Sequence, residues 1–307
     1  MKISIVTPTF NEIENIEKIY IEIKKKFEEI NCDYEHLIID NNSTDGTIKK
    51  IEELAQKDKK LKIIVNAKNY GHIRSPFYGL LQTNSDATIL MASDFQDPVD
   101  LIPKYIEEWK AGKKIVLGQK TSSEENKIKY SLRTIYYNFL NKISEFELPH
   151  NTTGSGIFDK TIIDKLKKIN DPYPYFRGLI AELGEDICTI NFKQPLRKSG
   201  KTKNNLFTLY DIGMLGVVKH SRKPLRFMTL LGFVSSIVSF LIGIIYFIYK
   251  LIFWNSFSLG IAPLVIGIFI VSSIQIILLG FVGEYIGIIL LHQRNMPLVV
   301  EKKRINF

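Results

Sequence analysis

Four clusters of acidic, amide and basic side chains in the first hundred residues have the chemistry to bind a ligand. They occupy residues 8–12, 40–47, 69–74 and 94–98. Their carboxylates can accept hydrogen bonds or coordinate a divalent cation, and basic groups suit phosphate oxygens. The alternative is structural. Asp40 and Asp45 could cap a turn and the helix starting near Thr47, and Asp94 could cap a turn before Pro98.

The segments between these clusters predict the elements that position them. Apolar runs predict strands at residues 3–6, 36–40, 61–65, 88–91 and 114–117. Mixed apolar and charged stretches predict helices at about residues 13–30, 47–57, 75–83 and 101–111. Alternating strands and helices indicate an α/β fold with a mostly parallel sheet covered on both faces. Because ligands bind beyond the carboxyl ends of such strands, the clusters are expected to converge there.

Two apolar runs near the C-terminus predict transmembrane helices at about residues 225–249 and 259–291. The first contains one charge, Arg226, at its start, and the second contains only Glu284, late in the run. Each exceeds the roughly 20 residues needed to cross a hydrocarbon core. Buried helices of a soluble protein are the alternative, but such helices rarely stay apolar on every side over this length.

The charges that flank these runs predict their orientation. Basic residues precede the first run and follow the second, whereas the connecting loop offers only Lys250. The positive-inside rule therefore places both flanks in the cytoplasm, with a short external loop. Residues 1–6 are expected to form a buried strand rather than a signal peptide, because the apolar stretch stops at Pro8. The expected location is the inner, cytoplasmic membrane.

These features predict three segments. Residues 1–205 would form the cytoplasmic domain, residues 206–224 an interfacial amphipathic linker, and residues 225–307 a membrane domain with a cytoplasmic tail. The linker region is strongly basic, and its place beside two spans favours contact with anionic lipid over nucleic acid. Three glycines in the second run, Gly280, Gly283 and Gly287, would allow close helix packing, including with a second copy of the chain.

Composition excludes several classes of protein. The 307 residues are 45% hydrophobic and 24% charged, which is not the composition of a disordered chain. Two cysteines, Cys32 and Cys188, exclude a disulfide scaffold, and neither has cysteine or histidine neighbours that would suggest a zinc cluster. The net charge of +9 agrees with a chain that works against an anionic surface or substrate.

The order and spacing of the motifs resemble the family 2 inverting glycosyltransferases. The resemblance is carried by residues 7–15, 39–47, 69–71, 79–80, 93–98, 151–154, 175–178, 197–200, 224–226 and 283–287. It covers nearly the whole chain and is closest to the polyprenyl-phosphate branch, which includes dolichol-phosphate mannosyltransferase and bactoprenol glucosyltransferase. The implied fold is GT-A, a nucleotide-sugar domain, followed by interfacial helices and two transmembrane helices.

The resemblance also implies a donor site. Within it, Asp40 would accept hydrogen bonds from the base, and Glu12 from the base or ribose. The implied nucleotide-binding set is Pro8, Phe10, Glu12, Asp40, Asn41, Asp45, Gly71 and Arg74. A divalent cation, Mg²⁺ or Mn²⁺, would be held by Asp94 and Gln96 together with phosphate oxygens. Two family carboxylates are replaced, by Ala92 and Asn41, and both replacements remove negative charge.

The acceptor side departs from the family in a way that suggests its chemistry. The family's usual base aspartate falls on Gly154, which leaves Asp97 and Asp159 as the nearby carboxylates. A phosphate acceptor needs no base, because it is already largely anionic near neutral pH. The implied acceptor is therefore a polyprenyl phosphate, with Asp94 and Asp97 as catalytic candidates. The cations expected to bind its phosphate are Lys120, Arg133, Arg197 and Lys201.

Three hypotheses follow. The leading one is a membrane-anchored enzyme that transfers a sugar from a nucleotide donor, UDP by default, to undecaprenyl phosphate at the cytoplasmic face. The second keeps the donor but transfers to a sugar hydroxyl of a lipid-linked glycan, with Asp97 as the general base. The third is a catalytically degraded membrane scaffold, suggested by Ala92 and Asn41.

Overall fold

A computed structural model describes residues 1–123, 152–195, 214–216, 218–219, 223–253 and 261–307. Its strands are β1 (Lys2–Thr9), β2 (Asp33–Asp40), β3 (Leu61–Asn66), β4 (Ala87–Leu90), β5 (Ile115–Ser123), β6 (Thr152–Asp159), β7 (Ile187–Gln194) and β8 (Glu301–Ile305). Its helices are α1 (Ile16–Glu29), α2 (Thr47–Lys57), α3 (Gly71–Leu81), α4 (Leu101–Lys110), α5 (Lys160–Lys167), α6 (Phe176–Glu182), α7 (Lys223–Ile252) and α8 (Ile261–Gln293).

All the strands in the described part of the chain belong to one mixed sheet. Their order is β7-β5-β6-β4-β1-β2-β3-β8. The central group β4-β1-β2-β3 is parallel throughout, as the strand–helix alternation predicts, and β5 and β7 are also parallel. Antiparallel pairing occurs where β6 inserts between β4 and β5, and where β8 pairs with β3. The parallel centre brings the carboxyl ends of β1, β2 and β4 to one edge.

Helices cover both faces of the sheet and enclose two cores. On one face, α1, α2 and α4 bury Ile19, Ile51 and Tyr105 against the sheet. On the other face, α3, α5 and α6 bury Phe77 and Ile162 in a second cluster. The central strands are buried on both sides, which explains why their sequences are continuous apolar runs rather than alternating ones.

Helix α3 packs unusually close to the sheet because it carries Gly79. A Cβ added at Gly79 would lie 2.8 Å from Val6 Cγ1 and 3.2 Å from Ile39 Cγ2. Both contacts come from strands that lead directly into the predicted ligand site. The absence of a side chain at this position therefore sets the depth at which α3 sits over β1 and β2.

The C-terminal helices α7 and α8 form an antiparallel pair. A backbone group of Leu225, near the start of α7, hydrogen-bonds Tyr285 in the last third of α8, and a Cβ at Gly232 would lie 3.7 Å from Leu278. By length and composition both helices could cross a membrane, and their most apolar windows are not buried by the rest of the chain. Large apolar side chains such as Phe233 and Phe240 are exposed along them.

The chain returns to the sheet after α8. Strand β8 pairs antiparallel with β3, so that Ile63 lies opposite Ile305 and Val65 opposite Lys303. This segment was expected to be a cytoplasmic tail of the membrane domain. In the structure it is one of the two edge strands of the sheet. Its charged, lysine- and arginine-rich sequence hides the pairing because the outer side of an edge strand remains in solvent.

Replacing Gly79 with alanine should destabilise the protein. Alanine favours helix by about 0.5–1 kcal/mol over glycine, but overpacking a close contact costs about 1–3 kcal/mol, and the nearest atoms here belong to packed β-branched side chains. We therefore expect the midpoint of urea unfolding to fall in Gly79→Ala. Gln56→Ala, at an exposed site on α2, is the control and should leave that midpoint almost unchanged. Equal or greater stability of Gly79→Ala would contradict the close packing of α3.

Candidate active site

The four sequence clusters all lie at the carboxyl edge of the parallel strands. Thr9 lies opposite Asp40 in the β1–β2 register, and the Asn41 amide donates to Thr9 O at 2.9 Å. The hydroxyl of Ser93, three residues beyond the end of β4, donates to Pro8 O at 3.2 Å. The strand ends thus bring residues 8–12, 40–47 and 93–98 together, as the parallel sheet predicts.

Asp40 is a fully buried carboxylate that accepts hydrogen bonds from Ser43 and from the Asn42 backbone. Oδ1 accepts from the Ser43 amide at 2.8 Å, and Oδ2 accepts from the Ser43 hydroxyl at 2.6 Å. Burial raises the pKa of Asp40 above its usual range, despite these hydrogen bonds, because the charged form is desolvated. The side chain is thereby fixed in one orientation at the end of β2.

Asp45 is exposed and joins the turn after β2 to the loop after β1. It accepts from the Thr47 amide at 3.0 Å, from the Thr47 hydroxyl at 2.6 Å and from the Ile13 amide at 3.1 Å. Partial burial would raise the pKa of Asp45, but the hydrogen bonds from Thr47 and Ile13 outweigh it and hold that pKa below its usual range. The capping alternative is thus realised here, with a direct donor contact remaining a proposal.

The loop after β1 is tied to the same turn. Asn11 has a positive φ of 54°; its amide donates to the Ser43 hydroxyl at 2.8 Å, and its side chain accepts from the Thr44 amide at 2.8 Å. Glu12 is buried and accepts from Asn15 Nδ2 at 2.7 Å. Pro8 and Phe10, on either side of the buried Thr9, are partly exposed.

Asn41 organises the segment that follows β3. Its Oδ1 accepts from Asn66 Nδ2 at 3.0 Å and from the Tyr70 amide at 2.8 Å. Its Nδ2 donates to Asn69 Oδ1 at 2.8 Å and to Gly71 O at 3.2 Å. All four hydrogen-bonding positions of the amide are occupied. The structure therefore gives this side chain a scaffolding role and leaves it no position for the donor contact that the resemblance implied.

Arg74 makes contacts that the sequence did not predict. Its Nε donates to Leu298 O at 2.8 Å, one terminal nitrogen donates to Pro297 O at 2.7 Å, and the guanidinium lies 5.0 Å from the Tyr70 ring centroid. Two of its five N–H donors thus bind the segment that follows α8, and the expected contact with the donor stays a prediction. Sequence could not reveal this, because both partners are backbone carbonyls 223 or more residues away. Gly71, with φ of +80°, begins α3 at the site.

The metal candidate Asp94 sits in a tight turn beyond β4. The Gln96 amide donates to its Oδ1 at 3.2 Å, and Phe95 between them has φ of +59°. Asp94 and Gln96 are partly exposed, whereas Asp97 is buried. The pKa of Tyr105 is raised first by burial of the Tyr105 side chain and then by the negative charge of Asp97. Among the described residues, no three histidine, cysteine or acidic side chains are grouped closely enough to hold a metal alone.

Asp159 was expected near the acceptor, and that expectation is wrong. It lies opposite Ala87, at the start of β4, whereas Asp94 follows the other end of that strand. It caps α5 by accepting from the Thr161 amide at 2.9 Å, and it also accepts from Trp109 Nε1 at 2.9 Å. The antiparallel entry of β6, which the sequence did not reveal, carries Asp159 away from the site.

Helix α6 places a cation, Arg177, beside the start of β6. Gly156 lies opposite Leu90, so Gly154 lies beyond the end of β4, and a Cβ there would be 3.8 Å from Arg177 Nε. Desolvation and the positive charge of Arg177 both lower the pKa of His72, an exposed residue in the first turn of α3. Arg177 thus stands between the ends of β4 and α3. The motif around it was recognised in the sequence, but this side chain was not assigned a role.

The predicted acceptor cations are only partly within the described chain. Lys120 lies on β5 opposite Phe192 and is partly buried. Arg133, Arg197 and Lys201 lie outside the described residues. Their assignment to the acceptor phosphate stays a prediction.

Comparison with known proteins places this arrangement in a wider group. The profile of a family described as "Glycosyl transferase family 2" matches residues 4–167. The chain is 30% identical to "Bactoprenol glucosyl transferase" of Shigella phage SfX over 99% of this chain and 100% of that protein. It is 29% identical to "Uncharacterized glycosyltransferase YkcC" of Bacillus subtilis over 98% and 93% of the two chains.

A solved structure confirms the fold. Glucosyl-3-phosphoglycerate synthase from Mycobacterium tuberculosis, in complex with Mn²⁺, UDP and phosphoglyceric acid, is similar with a TM-score of 0.52 and 18% identity. The similarity covers 71% of this chain and 76% of that one. The predicted α/β fold of the GT-A type is thereby confirmed.

Replacing Asn41 with aspartate should destabilise the site. A carboxylate cannot donate to Asn69 Oδ1 or to Gly71 O, so Asn41→Asp loses two hydrogen bonds, each worth about 0.5–1.5 kcal/mol. The loss of stability should shrink as the pH falls below about 4, because a protonated carboxyl regains one donor. Thermal unfolding at several pH values measures both effects. Asn42→Asp adds the same charge one residue along and should be milder; equal losses would contradict the scaffolding role.

Proposed function

The chain belongs to glycosyl transferase family 2, and from this premise we propose that it transfers a sugar from a nucleotide-sugar donor to a polyprenyl phosphate at a membrane surface. The main support is that the strand-end site and the apolar helices α7 and α8 belong to one chain, and that β8, after α8, pairs with β3 of the same sheet. The relative from phage SfX, similar over this whole length, is named for transfer to bactoprenol.

For the donor, we assign base and ribose recognition to the edge formed by β1 and β2. Asp40 and Glu12 are the proposed acceptors of hydrogen bonds from the nucleoside, with Pro8 and Phe10 beside them. Gly71 at the start of α3 brings backbone close to the diphosphate. UDP is the expected nucleotide. Asn41 shapes this site without a side-chain contact to the donor, since its side-chain hydrogen bonds go to other parts of the chain. We propose that Arg74 also acts indirectly, through its bonds to the segment after α8.

A divalent cation fits this site only when the phosphate oxygens of the donor supply its remaining ligands. Asp94 supplies one partly exposed carboxylate, and Gln96 could add a carbonyl oxygen from the same turn. Hard cations such as Mg²⁺ and Mn²⁺ accept phosphate oxygens as their remaining ligands. Bound there, the cation would neutralise charge on the leaving diphosphate. This chain's own contribution is to hold Asp94 in a turn in which Phe95 adopts a positive φ.

For the acceptor, a phosphate suits the charges at this edge better than a hydroxyl does. Correcting the position of Asp159 removes one of the two candidate bases, and the other, Asp97, is buried beside Tyr105. Arg177 instead places a guanidinium next to Gly154, where it could bind phosphate oxygens bidentately. We propose that Arg177 acts with Lys120, Arg133, Arg197 and Lys201 on the acceptor side.

The helix pair would hold this site against the lipid headgroups. Both chain ends belong to the sheet domain, so the hairpin of α7 and α8 leaves and returns to the same body. We propose that the pair spans the cytoplasmic membrane with the sheet domain in the cytoplasm, which agrees with the basic flanks. A long-chain acceptor would present its phosphate at that surface.

A donor screen tests the proposal. Purified protein in detergent, given Mn²⁺, undecaprenyl phosphate and a panel of nucleotide sugars, should transfer sugar from one of them. Asp94→Asn should remove most of that activity with the fold intact by circular dichroism, and Gln96→Ala should cost less because a neutral ligand contributes less charge. Transfer to no acceptor lipid with any donor would contradict the proposed function, and full activity of Asp94→Asn at limiting Mn²⁺ would contradict the metal assignment.

The acceptor chemistry is tested separately. Loss of a required general base typically costs roughly 10²- to 10⁴-fold. We expect Asp97→Asn to keep substantial turnover on undecaprenyl phosphate, because phosphate needs no deprotonation. Arg133→Ala and Arg177→Ala should raise the KM for the lipid while changing nucleotide binding little. If Asp97→Asn abolishes transfer with nucleotide and metal still bound, and both arginine variants behave like the parent, the acceptor is a hydroxyl.

A further inference from the structure

One side of α3 is a row of side chains that binds the segment after α8. Arg74, Tyr78 and Gln82 are spaced four residues apart, which places them on one face of the helix. Arg74 binds Pro297 O and Leu298 O, Tyr78 Oη donates to Glu301 Oε1 at 2.8 Å, and Gln82 Oε1 accepts from Arg304 at 2.9 Å. We call residues 297–306 the tail strand.

The tail strand is fixed along its whole length. Val300 O accepts from the Ala67 amide at 2.8 Å, and β8 continues the pairing with β3. At its end, Asn306 Nδ2 donates to Ala55 O and Leu61 O, both at 2.8 Å. Val299 is buried, and Leu298 packs against the core that contains Phe77. These contacts make the tail strand part of the sheet domain rather than a loose extension of α8.

The same helix that binds the tail strand also forms one wall of the site. Its first residue, Gly71, is bound through its carbonyl to Asn41 Nδ2, and Asn41 directly follows Asp40. Arg74 is one turn further along, and its guanidinium lies over the Tyr70 ring. A continuous series of contacts therefore runs from the tail strand through Arg74 and the first turn of α3 to the end of β2.

We propose that the tail strand holds the first turn of α3 in place for the donor, and that Arg74 is the positioning residue through which it acts. The role rests on the proposed function, since it concerns the nucleotide-sugar site. What it adds to the proposed function is that residues after the helix pair contribute to the affinity for the donor. The residues matched by the family profile, 4–167, do not include this strand.

Direct contact between Arg74 and the donor is the competing explanation, and a double-mutant cycle separates the two. Arg74→Ala should raise the donor KM about tenfold, the expected size for losing charge-assisted hydrogen bonds, with kcat and lipid KM little changed. Leu298→Ala, which loosens the tail strand without touching the site, should raise the donor KM as well. Because both act through one series of contacts, the double variant should be no worse than Arg74→Ala alone.

Two further variants complete the set. Arg74→Lys keeps the charge and one hydrogen bond and should recover part of the donor affinity. Val300→Ala removes an exposed side chain from the same strand and should leave the donor KM unchanged. If Leu298→Ala leaves the donor KM at the parental value, or its effect multiplies with that of Arg74→Ala, then Arg74 acts on the donor directly and the proposal is wrong.

A readout independent of catalysis keeps this proposal separate from the proposed function. The amides of Tyr70 and Gly71 donate to Asn41 Oδ1 and Asn69 Oδ1, so their hydrogen exchange reports the first turn of α3. Exchange there should become faster in Arg74→Ala and in Leu298→Ala, but not in Val300→Ala. Unchanged exchange in the first two variants would overturn the proposal. If the parent chain transfers no sugar and exchange is still faster in Arg74→Ala and Leu298→Ala, this proposal stands while the proposed function fails.

Discussion

The four hydrogen bonds of the Asn41 side chain are the interaction on which the rest of the site depends. They join the end of β2 to the end of β3 and to the first residue of α3, three segments that are separate in sequence. A buried amide of this kind specifies geometry strictly, because each unmade bond would leave a buried polar group without a partner. Asparagine at position 41 lacks the negative charge of the family's aspartate, but its Nδ2 group supplies two hydrogen-bond donors that a carboxylate does not have. This replacement argues against a degraded site, since the amide organises the loops that surround the carboxylates.

Acidic and basic side chains occupy different parts of the carboxyl edge of the sheet, so the two parts suit different ligand groups. Acceptors of hydrogen bonds, led by Asp40 and Glu12, lie where β1 and β2 end. Arg177 and the partly buried Lys120 lie toward β5 and β6, on the other side of Asp94. A sugar donor with a nucleoside at one end and a diphosphate near the metal turn would span the two regions. The entry of β6 beside β4 creates this division, because it sets Gly154 rather than a carboxylate next to Arg177.

The helix pair is attached to the sheet domain at both ends, and the second attachment is part of the fold itself. A chain that left the sheet only once could swing about that link. Here α8 is followed within a few residues by the contacts of Arg74 and by β8, so the C-terminal end of the helix pair is fixed to the sheet domain. If the pair spans a membrane as proposed, this attachment limits the distance over which the site can search for a membrane-bound acceptor.

The sequence by itself determined the parallel centre of the sheet, the bounds of α2, the two long apolar helices and the clusters at the strand ends. These features are local, so apolar periodicity and the alternation of strands and helices predict them directly. The tertiary structure alone decided the antiparallel insertion of β6, the pairing of β8 with β3, and the partners of Asn41, Arg74 and Asp159. Each of these depends on contacts between distant segments, many of them to backbone carbonyls and amides that every residue carries, so no pattern of residue types announces them.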